Sequence, residues 1–470
     1  MIKLNLNTIA NILAARLVGD KNISVDNLFI ENISTDTRQA IAKGLFFALK
    51  GENFDAHNYL SQAVKQGCVA VVVEREMDVN VPQLIVEDTA LALGKLGKWL
   101  KAKINPKTVA ITGSSGKTTV KEMVAKILQN VTACSDEVLF TFGNLNNDLG
   151  VPLTLLRLNE KHKFAIVELG ANHLGEIAYT VDLVKPDACL INNVTAAHLE
   201  GFGSLEGVAE AKSEIYQGLA DDGTAIVNLD YPQWRNLWQQ RIINRKTQTF
   251  SANDQSADFY AKNIQLTLSG ANFILGTPQG EIEIHSSYLG EHNISNALAA
   301  ASLAMAVGAD LKAIKSGLEQ HSKVKGRLYP IEINENLLLI DDTYNANVGS
   351  LKSAISVLKN YPAFRILAVA DMGELGSESK QCHQQVADFV KEAKLDLVVS
   401  FGKESAVISN NPAHHFTEKQ TICDFLMPII LQKSQQKQPL VLLAKGSRSQ
   451  KMEELIALLV EQLKNKDKQC

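Results

Sequence analysis

At 470 residues the chain has room for three domains at about 150 residues each. Its 46% hydrophobic and 21% charged residues fit several buried cores. A net charge of −4 gives no electrostatic case for nucleic acid as a partner.

The N-terminal stretch MIKLNLNTIANILAARLVGD spaces Ile9, Ile12, Leu13 and Leu17 as on a helix, predicted to end at Gly19. It lacks the apolar block and cleavage site of a secretory signal. No run of about 18 apolar residues occurs, so no membrane insertion is expected. The cysteines (Cys68, Cys134, Cys189, Cys382, Cys423 and Cys470) are scattered, with no C-x-x-C pair. That reads as reduced thiols in a cytoplasmic protein.

GLFFAL and VAVVVE then read as strands, and NYLSQAVKQG as a helix with Leu60, Ala63 and Val64 inward and Gly67 as its stop. EDTALALGKLGKWLKAKINPK leads into a second unit. There, strands predicted to end at Thr112, Val167, Asn193 and Asn228 alternate with helical patterns, as in a mostly parallel sheet. A hairpin-like region follows at 245–290, then an alanine-rich helix from Asn293 to about Val307. A third α/β unit, with the runs NLLLID, RILAVAD, LDLVVSFG and PLVLLAKG, starts near 323. The expected fold class is α/β in three domains: 1–85, a central parallel-sheet ATPase-like unit at 86–322, and a Rossmann-like unit at 323–470.

VAITGSSGKTTVKEM is the first stretch that carries chemistry. The strict phosphate-loop pattern G-x-x-x-x-G-K-[ST] would put its first glycine at Ile111, and the nearest glycine is Gly113. Val120, Met123, Val124, Ile127 and Leu128 mark the helix that follows. Strand, tight glycine turn and helix bring backbone N–H groups, Lys117 and Thr118 into one phosphate- and Mg²⁺-binding turn. Ligands of an open parallel sheet collect beyond its strand carboxyl ends. There the sequence places Glu168, a candidate Mg²⁺ ligand, then Asn192, Asn193 and His198, this last as readily a structural loop histidine. The asparagines of GNLNNDLGVPLTLL suit turns or recognition of a polar substrate equally. Asn293 and Asn296 could cap a helix, Arg327 could be a solvated charge, and Asp341 and Asp342 repel unless a cation or hydroxyl is close.

Together TGSSGKTT, GNLNNDLGVPLTLL, ELGANHLGEI, HLEGFGSLEGVAEAKSEIY, GEHNISNALAA, DDTYNAN and KGSR resemble the Mur ligase family, in which the short glycine loop is itself a mark. ISTDTRQAIAKGLFFALKGENFDAHNYLSQAVKQGCVAVVVE extends the resemblance to the N-terminal unit. It is nearest to the member that joins D-Ala-D-Ala to a UDP-MurNAc-tripeptide. The resemblance implies ATP, two Mg²⁺ ions and an acyl-phosphate route, with Lys117 and Arg327 offsetting negative charge. It implies metal ligation by Thr118, Glu168, His198 and Lys212, the last as a carbamate, although a helix lysine is otherwise most often solvated. It puts ATP against Gly113, Ser114, Ser115, Gly116, Lys117, Thr118, Thr119, Asn293, Asn296, Arg327 and Asp342. It puts the UDP-sugar near Ser34, Asp36, Thr37, Arg38, Gly51, Asp55 and His57, and the muropeptide near Asn144, Asn146 and Asn147. Asn345, Asn347, Ser447 and Arg448 would bound the acceptor site. Val348 departs from the family's usual proline, which is expected to loosen the acceptor turn.

The sister ligase that adds the third peptide residue carries a D-N-P-R run that is absent here. Folylpolyglutamate synthase lacks the N-terminal unit. A phosphate-loop kinase or regulatory NTPase would leave the asparagine cluster and two domains unexplained. Nothing demands a dimer, so a monomer is expected.

Overall fold

The computed structural model describes residues 2–19, 27–39, 41–197, 199–320 and 324–467. The first helix, Leu6–Leu13, starts on the Asn5 side chain and buries Leu6, Ile9, Ala10 and Leu13. It ends before the expected Gly19, because Ala14 turns left-handed at φ 55° and Arg16–Val18 leaves as a strand. Pairing of that strand with Gln83–Ile85 overrides the helical spacing of Leu17. The N-terminal sheet runs Arg16–Val18, Gln83–Ile85, Cys68–Val73, Gly44–Phe47, Asn32–Ser34, parallel except at its first strand.

Asp88 caps the helix Thr89–Ile104, which packs on the first helix and on Gly150–Leu155. Gly97 permits that approach, since a Cβ there would stand 3.3 Å from Pro152. The central sheet has nine strands. Its parallel part places Lys107–Thr112 between Phe164–Glu168 and Ala188–Ile191, the reversal point at which ligands collect. All five apolar residues predicted for the helix after the glycine loop are buried, and that helix spans Lys117–Val131. The hairpin region extends one edge of the same sheet: Phe259–Thr267 joins it parallel to Lys246–Ser251, and Gly270–Thr277 and Gly280–Ser286 follow antiparallel. The alanine-rich helix is His292–Ala306, buried along most of its length.

The third sheet runs Tyr329–Asn334, Leu337–Asp341, Leu440–Lys445, Phe364–Ala370, Leu397–Phe401, His415–Phe416, with only the first pair antiparallel. The three larger sheets draw on successive parts of the chain, as the α/β reading expects, and a two-stranded ladder of Leu4–Asn5 with Phe29–Ile30 stands beside the first. No helix among the described residues is long and apolar enough to cross a membrane.

Candidate active site

The glycine loop occupies residues 113–116, between the strand Lys107–Thr112 and the helix Lys117–Val131. Gly116 has φ +76°, and a Cβ there would stand 2.5 Å from Asn192 Nδ2 and 2.6 Å from Asn296 Oδ1. Only glycine meets both demands. Behind the loop, Asn192 and Asn193 each donate to the Ser115 carbonyl at 3.0 Å. Ser115 N–H donates to Asn193 Oδ1 at 2.8 Å, and Ser114 Oγ donates to the Thr195 carbonyl at 3.0 Å. Asn192 also donates to Asn296 (2.8 Å), Asn296 to Asn293 (2.7 Å), and Asn293 to the Leu289 carbonyl (2.7 Å). Asn293 and Asn296 are therefore a buried amide ladder backing the loop, and not helix caps.

Lys117 Nζ donates to the Gly113 carbonyl at 2.7 Å. Burial holds its pKa below the usual lysine range, with the Arg327 charge adding and Glu168 opposing. Glu168 ends its strand buried. Its Oε2 accepts from the Thr118 hydroxyl at 2.9 Å and its Oε1 from Asn146 at 2.8 Å. The Arg327 guanidinium donates to Thr118 Oγ1 at 2.8 Å and stacks 4.3 Å over the Tyr344 ring. The asparagine cluster divides its work. Asn146 orients Glu168, Asn147 accepts from Gly150 N–H as a turn former, and Asn144 lines the cleft.

Lys212, on the helix Leu205–Ser213, is buried, not solvated. Its ammonium lies 5.8 Å from the Phe202 ring centroid and pairs with no carboxylate among the described residues. Burial, then the Lys117 charge, push its pKa well down. His198 lies outside the described residues. Among the described residues no group of three His, Cys, Asp or Glu side chains gathers. The donors present are hard oxygens, the Glu168 carboxylate and the Thr118 hydroxyl, which suit Mg²⁺.

The C-terminal sheet supplies the facing wall. Asp342 and Lys445 form a buried ion pair at 2.7 Å, and Lys445 also donates to the Asn345 carbonyl at 2.9 Å. Burial raises the Asp342 carboxyl above its usual range, while Lys445 first and Arg327 last hold it down. Asp341 accepts instead from the Thr343 hydroxyl and N–H, which separates the two neighbouring carboxylates. His292, at the start of the alanine-rich helix, also lines the cleft, with its pKa lowered to about 4 by burial and the Lys445 charge. Asn347 Nδ2 reaches the Ser114 carbonyl at 3.4 Å, a second contact between the two walls. The cleft they enclose is about 820 Å³, lined by Ser114–Thr119, Glu168, Lys212, Arg327 and Asp342 among others. Gly113 stands behind it, with its carbonyl taken by Lys117.

The Mur ligase middle domain matches residues 111–304, and the Mur ligase, glutamate ligase domain matches residues 326–467. The UDP-N-acetylmuramoyl-tripeptide–D-alanyl-D-alanine ligase of Haemophilus influenzae is 57% identical over 466 residues, covering 99% of this chain and 100% of the relative. The chain belongs to the Mur ligase family. The crystal structure of MurF from Acinetobacter baumannii has a TM-score of 0.90 at 38% identity, over 98% of this chain and 99% of that one. The MurF ligase of Thermotoga maritima, solved in complex with ADP, has a TM-score of 0.82 at 25% identity, over 93% and 98%.

In this Mur ligase the N-terminal candidates sit apart from the cleft. Arg38 holds Asp36 through two nitrogens (Nε 2.9 Å, Nη2 2.7 Å), which lowers the Asp36 pKa to about 2. Ser34 Oγ accepts from Asp36 N–H, Thr37 receives Gln62 on its carbonyl, and Gly51 N–H donates to the Phe54 carbonyl. His57 is a correction to the substrate-facing reading. Its ring is fully buried, with Nδ1 on Asp55 at 2.6 Å and Nε2 accepting from Glu74 N–H at 3.0 Å. It holds the loop and leaves no ring nitrogen for a ligand.

The acceptor-side candidates are adjacent to one another. Arg448 N–H donates to Asn345 Oδ1 at 3.4 Å, the Arg448 side chain pairs with Glu453 at 2.8 Å, and Ser447 N–H donates to the Asp371 carbonyl. Val348 does not loosen the turn. Asn347 and Ser350 form a capping box that starts the helix Val348–Lys359, and Val348 is buried in its first turn. Two site residues escaped the sequence reading. Lys445 ends VLLAK as Glu168 ends its own strand, so the same strand-end rule identifies it. Tyr344 carries no such signal.

Proposed function

We propose that this Mur ligase adds D-alanyl-D-alanine to UDP-N-acetylmuramoyl-tripeptide at the expense of ATP, in cytoplasmic peptidoglycan precursor synthesis. One observation carries the reading: Arg327 from the C-terminal wall meets Thr118 of the phosphate loop in a chain that matches ligases of that name over its whole length. We take residues 1–85 to hold the UDP-sugar, 86–322 the ATP phosphates, and 323–470 the nucleotide and the dipeptide. The enzyme acts as a monomer.

A tripeptide carboxylate oxygen attacks the γ-phosphorus, the bond to the β-phosphate oxygen breaks, and ADP leaves. The dipeptide amine then attacks the acyl carbon; phosphate departs, the nitrogen loses a proton, and the amide remains. Two anions must approach in the first step, and charge spreads over the transferring phosphoryl. Lys117 and Arg327 face that point as preorganised cations. Lys117 exchanges the Gly113 carbonyl for a phosphate oxygen, a change its partial desolvation favours. Asn146 and the Thr118 hydroxyl hold Glu168 in one orientation. Thr118, Glu168, His198 and Lys212 as a carbamate would hold Mg²⁺, which supplies charge neutralisation when bound. The Lys212 amine fits that modification, because burial lowers its pKa and so favours the neutral form that attacks CO₂. Asp36 and Arg38 orient each other at the UDP-sugar site, and Asn345, Ser447 and Arg448 bound the acceptor.

The deciding assay is phosphate release with ATP, Mg²⁺ and UDP-MurNAc-tripeptide, with and without D-Ala-D-Ala. Release should depend on the dipeptide, and release indifferent to it rejects the assignment.

A further inference from the structure

Lys121 is a buried cation that none of the steps above uses. It lies one turn beyond Thr118 on the helix Lys117–Val131, with its side chain 1% exposed. Its Nζ donates to the Thr141 carbonyl at 2.9 Å, pairs with Glu122 Oε1 at 3.0 Å and lies 5.6 Å from the Phe140 ring centroid. Burying a lysine is costly unless each donor is used. A leucine or methionine would otherwise suit this helix face, between Val120 and Val124.

Thr141 explains what the cation holds. It is fully buried and fastened from other directions as well: its N–H donates to the Ile166 carbonyl at 3.0 Å, and its Oγ1 accepts from Glu168 N–H at 3.0 Å. It is also the last buried residue before the asparagine loop. Phe142 is 70% exposed, and Gly143 turns left-handed at φ +56°. Asn144, Asn146 and Asn147 then enter the cleft wall, and Asn146 returns to Glu168 Oε1 at 2.8 Å. One turn of the phosphate-loop helix thus holds Glu168 at both ends. Thr118 takes its carboxylate, and Lys121 fixes the threonine that takes its backbone N–H.

We infer that Lys121 is a positioning residue that ties the nucleotide-binding helix to the asparagine loop and so presets that loop for the UDP-linked peptide. This rests on the function proposed above for the loop's ligand. A hydrogen bond to a charged donor is worth enough that its loss should loosen the loop about tenfold.

The test is Lys121→Met, which keeps chain length and apolar packing, alongside Lys121→Arg, which keeps the charge. Lys121→Gln carries the same test where Met does not fold. Amide hydrogen exchange of the ligand-free enzyme should rise about tenfold across residues 142–149 and stay unchanged in Ala188–Ile191 and Thr224–Asn228. The KM for UDP-MurNAc-tripeptide should rise about tenfold while that for ATP moves less than about twofold, and Arg should restore most of both readouts. Exchange that stays unchanged, or rises uniformly over the central sheet, overturns the inference. So does a loosened loop with an unaltered tripeptide KM. A wild-type enzyme that does not turn over the tripeptide would reject the proposed function instead, and the exchange comparison would still decide the role of Lys121.

Discussion

Lys445→Met tests whether the C-terminal wall stands on its buried ion pair. The side chains of Lys445 and Asp342 are only 4% and 11% exposed and lie 2.7 Å apart. Removing one partner of such a pair costs about 3–5 kcal/mol, because the other charge is left buried and unpaired. Asp342 would keep the Leu328 N–H at 3.0 Å and the nearby Arg327 charge. That places the expectation at the lower end, about 3 kcal/mol. The pH dependence has a definite sign. Burial sets the folded Asp342 pKa above its unfolded value, so between the two values the folded state holds a proton that the unfolded state has lost. Stability therefore falls as pH rises through that window. Lys445 is the largest opposing influence, so its removal pushes the folded pKa further up and widens the window. Urea unfolding of wild type and variant, with exchange of the Leu337–Asp341 and Leu440–Lys445 amides as the local probe, should show the deficit largest at neutral pH and narrowing as the pH is lowered toward 4. Asp342→Asn in the Lys445→Met background should recover part of it. A deficit below about 1 kcal/mol, or one unchanged by acidification, would refute the reasoning.

Three further outcomes follow from the site. Lys117→Met should lower kcat about a hundredfold to a thousandfold in the phosphate-release assay without changing the circular dichroism spectrum, because it removes a preorganised cation from the transferring phosphoryl; a loss under about tenfold would show that Arg327 suffices. Carbon-13 bicarbonate should produce a carbamate resonance that is missing from Lys212→Met, and full activity in CO₂-free buffer with no such resonance would reject the modification. Val348→Pro should leave unfolding free energy within about 1 kcal/mol and turnover intact, since Asn347 is already extended at φ −140°, ψ 171° and the first-turn N–H has no helical partner to lose. A collapse of dipeptide turnover in that variant would show that the valine side chain, and not the capping box, shapes the acceptor turn.

What was legible in the sequence was whatever depends on short range. The helix after the glycine loop followed from Val120, Met123, Val124, Ile127 and Leu128, and the strand-end rule found Glu168 from local pattern alone, whereas Asp342 came from the family resemblance. What was not legible depends on contacts across the chain. Asn296 looked like a cap because its partner, Asn192, stands 104 positions away. Lys212 looked solvated because its surroundings are set by Phe202 and the burial of its helix in the fold. His57 looked like a substrate contact until the Glu74 N–H, just past the strand Cys68–Val73 and 17 positions later, closed its second nitrogen. The hairpin pattern at 245–290 was legible, but local alternation cannot say which sheet a strand joins.

The short glycine loop has its cause in that same long-range order. Ile111 stands where a longer loop would begin, and it is paired on both sides, with Glu168 in one neighbouring strand and Leu190 in the other. A glycine turn starting there would break both ladders and release the strand that carries the carboxylate. Because the register sets Ile111 beside Glu168, the loop leaves the sheet just past the carboxylate and returns in time for Thr118 to reach Oε2. The space where a looser loop would lie is filled by the Asn192 and Asn296 amides. The loop is short because its strand is already committed to holding Glu168, and the asparagines behind it replace the backbone freedom that a first glycine would have supplied.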